Sequence, residues 1–240
     1  MTDATPPRWI TDIADVLESP RHPIVFGARI DDPALAPLLD LPPTLEDLRD
    51  AGRRGGEAGR QAFLRRRALL RSLVARRLGC AAKAVLVAHD AAGAPQLIAP
   101  AAGLFLSVSS RAGFAAFALS GSPIGVDLEV VGPPEEPAWN VLHPSEQAAL
   151  RSVKPEERHL AFLRIWTMKE AWLKRQGLGL SVEPAGLAVD LVSGAVSFPH
   201  PETRPSDAPQ DDGYWGRFTA AQWRIFTLAG TPLIVACAYS

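Results

Sequence analysis

Two carboxylates are separated by a single residue in Ile124-Gly125-Val126-Asp127-Leu128-Glu129, and a third, Glu170, stands among lysines in Trp166-Thr167-Met168-Lys169-Glu170-Ala171-Trp172-Leu173-Lys174. On a strand, alternate residues share a face, so Asp127 and Glu129 would point one way and Val126 and Leu128 the other. Two carboxylates a strand pitch apart suit a hard divalent cation, since Mg2+ takes oxygen ligands and completes its shell with water and substrate phosphates. On a helix, Trp166, Glu170 and Lys174 fall at i, i+4 and i+8 and share a face, with Lys169 beside them. Each stretch alone also fits a plainer reading. The first could be an exposed strand face, and the second a Glu–Lys surface pair of about 0.3–0.5 kcal/mol.

The elements that must position these residues are legible from periodicity. Phe63, Leu64, Leu70, Leu73, Val74 and Leu78 recur at helical spacing from Gly59 to Leu78, and Gly79 marks the stop. A short helix is expected over Ile10–Leu17 and a strand over Ile24–Ala28. AVLVAHD reads as a strand, AAGAP as a turn, and LFLSVSS, FAAFALS and IGVDLEVV as three further strands. Past the break at Gly132–Pro137, HPSEQAALRSV opens a helix with Pro144 and Ser145 leading into Glu146, and EERHLAFLRIWTMKEAWLKRQG forms a long amphipathic one. Strands at Leu187–Val192 and Ala195–Phe198, a polar loop and a terminal hairpin follow. Helix followed by strands in each half points to an α+β protein of two similar subdomains, 1–122 and 123–240, although no residue-level repeat links them.

Composition narrows the function classes. The 240 residues are 47% hydrophobic and 21% charged with a net charge of −1, which gives no general case for a nucleic-acid partner. Basic charge is concentrated at Arg60, Arg65, Arg66, Arg67, Arg71, Arg76 and Arg77. Cys80 and Cys237 belong to no C-x-x-C pair, so a disulfide framework and a structural zinc site are not expected. The first residues lack the apolar run of a secretory signal. No stretch approaches the roughly 18–20 apolar residues of a membrane span. A cytoplasmic protein is the expectation.

Taken together, the two acidic stretches are far more specific than either alone. The order (I/V)-G-(V/I)-D-x-E, then (W/F)-(S/T/C)-x-K-E-(A/S)-x-x-K, resembles the signature of the 4′-phosphopantetheinyl transferases, and every fixed position matches. The length is similar to that of the Sfp-type subgroup, monomers of two similar subdomains. FLRRRALLRSLVARRLG resembles the family's Arg-rich helix, and LSVSS, HPSEQAAL, GLGL and the C-terminal hairpin fall where the family has corresponding segments. The first fifty residues carry no diagnostic motif.

The resemblance implies two α/β subdomains in pseudo-twofold arrangement with the active site at their interface. It also implies transfer of the phosphopantetheine arm of coenzyme A to a serine of an apo acyl or peptidyl carrier protein, releasing adenosine 3′,5′-bisphosphate, in a setting such as secondary metabolite biosynthesis. Asp127, Glu129 and Glu170 would hold Mg2+, with Mn2+ as the alternative ion. Glu170 and Lys174 would be catalytic, Lys174 reaching a phosphate oxygen. Lys169 is either a second phosphate contact or a structural lysine. Glu146 is either the general base or a helix N-terminal acid favoured by the dipole; His143 reads as structural. Arg66 or Arg67 would grip the nucleotide's phosphate end, with the remaining arginines facing an acidic carrier protein or solvent. Ser109, Ser110 and Arg111 would lie along coenzyme A.

Two positions depart from the family pattern. The His usual after LSVS is Ser110 here, and the Lys of the usual G-K-P turn is Ala94. Losing two charge-assisted hydrogen bonds of about 1.5–3 kcal/mol each would weaken coenzyme A binding heavily unless Arg111 or an arginine of the cluster compensates. Two alternatives therefore stand beside the transferase: a relative repurposed for another substrate, and a non-catalytic carrier-protein binder. The intact acidic set argues against the second.

Overall fold

The computed structural model describes residues 6–16, 22–178, 182–190, 195–197 and 219–239. These divide into two compact units, with Ile124 ending the first and Gly125 opening the second. No helix among the described residues is long and apolar enough to cross a membrane.

In the first unit a six-stranded sheet carries one long helix. The strands are β1 (Arg8–Ile10), β2 (Ile24–Arg29), β3 (Leu86–His89), β4 (Pro95–Ala99), β5 (Phe105–Arg111) and β6 (Phe114–Ser120), and their order is β1-β2-β6-β5-β4-β3. Strand β6 is central and buried at every position, which is why it reads as a continuous apolar run and not an alternating one. The helices are α1 (Ala36–Leu39), α2 (Leu45–Gly52) and α3 (Gly56–Leu78). Helix α3 ends where Gly79 takes φ 62° and donates its N–H back to the last turn, a left-handed cap suited to glycine. Leu69, Leu73 and Val74 of α3 pack with Phe26, Phe117 and Val85 into the core.

The second unit has a five-stranded sheet with two helices. Its strands are β7 (Gly125–Val130), β8 (Ala188–Val189), β9 (Ala195–Ser197), β10 (Thr219–Leu228) and β11 (Thr231–Tyr239), ordered β7-β11-β10-β9-β8. Helix α4 spans Pro144–Ser152 and α5 spans Pro155–Gln176, the latter closed by Gly177 at φ 68°. Met168, Trp172 and Leu173 of α5 meet Leu150 and Ala236 in a separate core.

The N-terminal segment differs from expectation. In place of a helix over Ile10–Leu17 there is strand β1, paired in parallel with β2, and then a single 3-10 turn at Ile13–Asp15. Tertiary pairing with β2 overrides weak local helical signal there. Residue 17 itself lies outside the described residues. Helix α2 and strand β4 were not anticipated. The start of α2 is fixed by Thr44 and Asp47, which cap each other's backbone N–H groups. The expected polar loop after residue 198, the second half of GLGL and the far end of the Leu187–Val192 strand fall outside the described residues.

Candidate active site

The glycine of the first motif is a packing requirement. A Cβ on Gly125 would lie 1.9 Å from the Ala171 carbonyl oxygen and 2.4 Å from the Arg175 nitrogen. Strand β7 therefore approaches α5 backbone to backbone, as only glycine permits. Because side chains alternate along a strand, the face of Gly125 is also the face of Asp127 and Glu129, so both carboxylates are turned toward α5. Asp127 is buried, and its Oδ1 accepts from Lys174 Nζ at 2.6 Å. Lys174 lies one turn beyond Glu170 on the same helix. The two sequence stretches thus meet in space within the second unit.

The electrostatics tie the set together. Burial pushes the Glu170 carboxyl above its ordinary value, the neighbouring Lys174 opposes this, and the charges of Asp127 and Glu129 add to it. Glu170 Oε1 is buried and has no hydrogen-bond partner among the described residues. An orphaned buried carboxylate oxygen in an all-oxygen donor set fits a hard divalent cation. Among the described residues, however, no three His, Cys, Asp or Glu side chains are gathered as a ready-made metal cage. Lys174 supplies the positive charge at Asp127 instead.

Glu146 and Lys169 do not join this group. Glu146 is buried; its Oε2 accepts from His143 N–H at 2.8 Å and its Oε1 from Val189 N–H at 2.8 Å. Lys169, fully buried, pairs with Glu146 at 2.6 Å and donates to the carbonyls of Val141 and Pro184 at 3.0 and 2.9 Å. Of the two readings of Glu146, the geometry supports the helix N-terminal acid: with His143 it forms the capping box of α4. Both of its oxygens are engaged by these partners, which favours the structural reading over that of general base. Lys169 likewise turns out structural and is corrected as a phosphate contact.

The arginines of α3 divide in the same way. Arg67 is buried, donates to the Val87 carbonyl at 2.6 Å and pairs with Asp50 at 3.1 Å. Arg71 donates to the carbonyls of Val85 and Pro42 and pairs with Asp47 at 3.0 Å. Arg76 and Arg77 bind backbone carbonyls of residues 14, 16 and 22. These side chains tie α3 to the surrounding chain, although Arg67 also borders a hollow of the first unit and Arg60, Arg65 and Arg76 stay at least partly exposed. Arg66 is the exception. It is half-buried and has no side-chain partner among the described residues, and burial together with the charge of Arg54 lowers its proton affinity.

Arg66 and Ser110 line two neighbouring hollows of the first unit, one of about 200 Å3 and one of about 480 Å3, and Arg111 lines the larger. Ser109 is buried on β5 and lines neither. Sequence reasoning missed Arg54 and His89, which border the smaller hollow. His89 was visible only as a lone histidine ending a strand; the fold alone brings it beside α2 and α3.

Residues 123–233 match the family model of the 4′-phosphopantetheinyl transferase superfamily. The chain is 34% identical over 152 residues to the 4′-phosphopantetheinyl transferase HetI of Nostoc sp., covering 60% of this chain and 64% of that one. It is 32% identical over 87 residues to a 4′-phosphopantetheinyl transferase of Bacillus subtilis, covering 35% and 39%. The chain thus spans less than two thirds of the length of either curated relative.

Proposed function

We propose that the protein transfers the 4′-phosphopantetheine arm of coenzyme A to a serine hydroxyl of an apo acyl or peptidyl carrier protein, releasing adenosine 3′,5′-bisphosphate. The observation that carries the reading is the 2.6 Å contact between Lys174 and Asp127, with Glu170 one turn back on the same helix. It joins the two halves of the superfamily signature at one place. The reading includes two similar subdomains, a monomeric chain and a cytoplasmic setting.

Asp127, Glu129 and Glu170 would hold Mg2+, whose bound charge would neutralise the oxygens of the pyrophosphate. Lys174, with its Nζ at Asp127, adds a movable positive charge that can follow negative charge onto the leaving phosphate. With Glu146 committed elsewhere, the serine proton falls to the motif carboxylates. We assign it to Glu170, whose Oε1 is buried with no hydrogen-bond partner among the described residues.

Intact mass measurement of an apo carrier protein after incubation with this protein, coenzyme A and Mg2+ tests the proposal, beside an Asp127→Ala control. A gain of one phosphopantetheine arm that the control lacks is expected. If folded protein leaves both acyl and peptidyl carriers unmodified, the transferase reading fails. Ser110 and Ala94 would then favour a relative repurposed for another substrate.

A further inference from the structure

Lys174 stands where the acidic set of the second unit needs positive charge. Its Nζ lies 2.6 Å from Asp127 Oδ1, on a side chain more than a quarter exposed, while the aspartate is nearly covered. A helical side chain leans toward the N-terminus of its own helix, so from position 174 the ammonium reaches back over the turn that carries Glu170. Among the groups whose charge bears on Glu170, Lys174 is the cation and Asp127 and Glu129 are the anions. The carboxylates are not closed into a metal cage among the described residues. A single ammonium, held at Asp127, offsets their charge.

An ammonium and a divalent cation compete for Asp127 Oδ1. Both take the same oxygen lone pairs, and a monovalent and a divalent charge placed side by side repel. The set has room for more positive charge than the lysine supplies. Three carboxylates face one ammonium, and Glu170 Oε1 is buried with no hydrogen-bond partner among the described residues. The lysine is also the partner able to move. Its ammonium is a point charge on a flexible stem that already meets solvent, whereas Asp127 is fixed on β7.

We propose that Lys174 holds the cation's place on Asp127 and yields it when a divalent ion is bound, so that loading the metal frees the ammonium for a phosphate of the substrate. The inference rests on the transferase reading, in which Asp127, Glu129 and Glu170 are the cation's ligands. Before loading, Lys174 keeps Asp127 from being a buried and uncompensated carboxylate, and it ties the end of α5 to β7. On loading, Lys174 gives up Asp127 and turns outward, where its charge is open to an incoming anion. The exchange sets an order, since Lys174 becomes available to a phosphate only after it has left the aspartate.

Calorimetric titration of the full chain with Mg2+ alone tests this, beside lysine acylation read by mass spectrometry. Lys174→Met keeps an unbranched side chain and removes the charge. It should bind Mg2+ about tenfold more tightly than wild type, the scale of one charge-assisted hydrogen bond that no longer has to break. The same variant should lose turnover, so affinity and rate move in opposite directions. The chain has four lysines. Lys83 and Lys154 are exposed and serve as references, and Lys169 is fully buried. In wild type, saturating Mg2+ should speed acylation of Lys174 severalfold and leave Lys83 and Lys154 unchanged. Asp127→Asn should show the fast rate without Mg2+. The acylation arm uses the wild type, so it decides the matter even where Lys174→Met fails to fold. Unchanged or weaker Mg2+ binding by Lys174→Met, or acylation of Lys174 that Mg2+ leaves unchanged or slows, would overturn the exchange and leave the transferase reading standing. Mg2+ binding by neither wild type nor Lys174→Met would overturn the exchange together with the metal site that the transferase reading requires.

Discussion

Lys174 Nζ lies 2.6 Å from Asp127 Oδ1, a contact that bridges 47 positions of sequence and ties the end of α5 to strand β7. The lysine is a little more than a quarter exposed while the aspartate is nearly covered. The pair is therefore reached from solvent chiefly through its cationic end.

If the pair acts as a unit, its losses will not add. Asp127→Ala and Lys174→Ala should each lower kcat/KM for carrier-protein modification by about a hundredfold or more, the scale of removing one aligned charge at a reacting centre. The double variant should fall little further than the worse single one. Fully multiplicative losses would mean that the two side chains work independently, and the contact would carry no catalytic meaning.

Glu170 gives a prediction with a definite sign in pH. Its carboxyl sits above the ordinary value of 4.5, chiefly through burial. The folded state therefore holds that proton more tightly than the unfolded chain. This contribution to stability is full below the ordinary value and is lost as pH rises through the folded-state value. Without metal at neutral pH, ionised Glu170 is a burden on the fold. Glu170→Gln should raise the metal-free unfolding temperature at pH 7 and flatten its decline above the ordinary carboxylate range.

Divalent cation should relieve the same burden. Mg2+ at about a hundred times its Kd stabilises a folded protein by about 2.7 kcal/mol, a shift of about 5–10 °C in Tm for a chain of this size. Wild type should show such a shift, and Glu170→Gln and Asp127→Asn should lose most of it. Equal shifts in all three proteins would place any bound cation elsewhere.

Gly125 is constrained by backbone on the facing helix, not by its own dihedral angles. With Ala171 O and Arg175 N at 1.9 and 2.4 Å from an added Cβ, neither neighbour is a flexible side-chain end that can swing away. Gly125→Ala should cost about 1–3 kcal/mol or more, the range of overpacking, and should separate β7 from α5. Transfer activity should then fall even at temperatures where the variant stays folded. An alanine variant with wild-type stability and rate would show that the close approach is dispensable.

Much of the catalytic side of the fold could be read from sequence because its signals are local. Asp127 and Glu129 alternate on a strand, Glu170 and Lys174 are a turn apart, and Gly79 and Gly177 close the helices expected to end there. What could not be read was the partner of each charge. Arg67 and Arg66 are adjacent and identical in type. Both border one hollow, but Arg67 is locked by Asp50 and a β3 carbonyl while Arg66 has no such partner among the described residues, a difference set by α2, which local pattern did not reveal. Lys169 and Glu170 differ in the same way, since a helix turns neighbouring residues by about 100° and sends one into the core and the other toward the strand. His89 had no motif around it at all, and only sheet order brought it into view.

The buried Glu146–Lys169 pair separates structure from catalysis most directly. Burial lowers the proton affinity of Lys169, and Glu146 works against that shift. Removing the carboxylate leaves a buried ammonium facing two carbonyls, and breaking a buried pair from one side costs about 3–5 kcal/mol. Glu146→Gln should therefore unfold at a markedly lower denaturant concentration, and replacing both partners with Gln and Met should recover part of the loss. Among molecules still folded, the Glu146→Gln transfer rate should stay within about threefold of wild type, because no transition-state interaction has been removed. If the variant keeps its stability and loses activity a hundredfold instead, Glu146 takes the serine proton after all, and Glu170 loses that role.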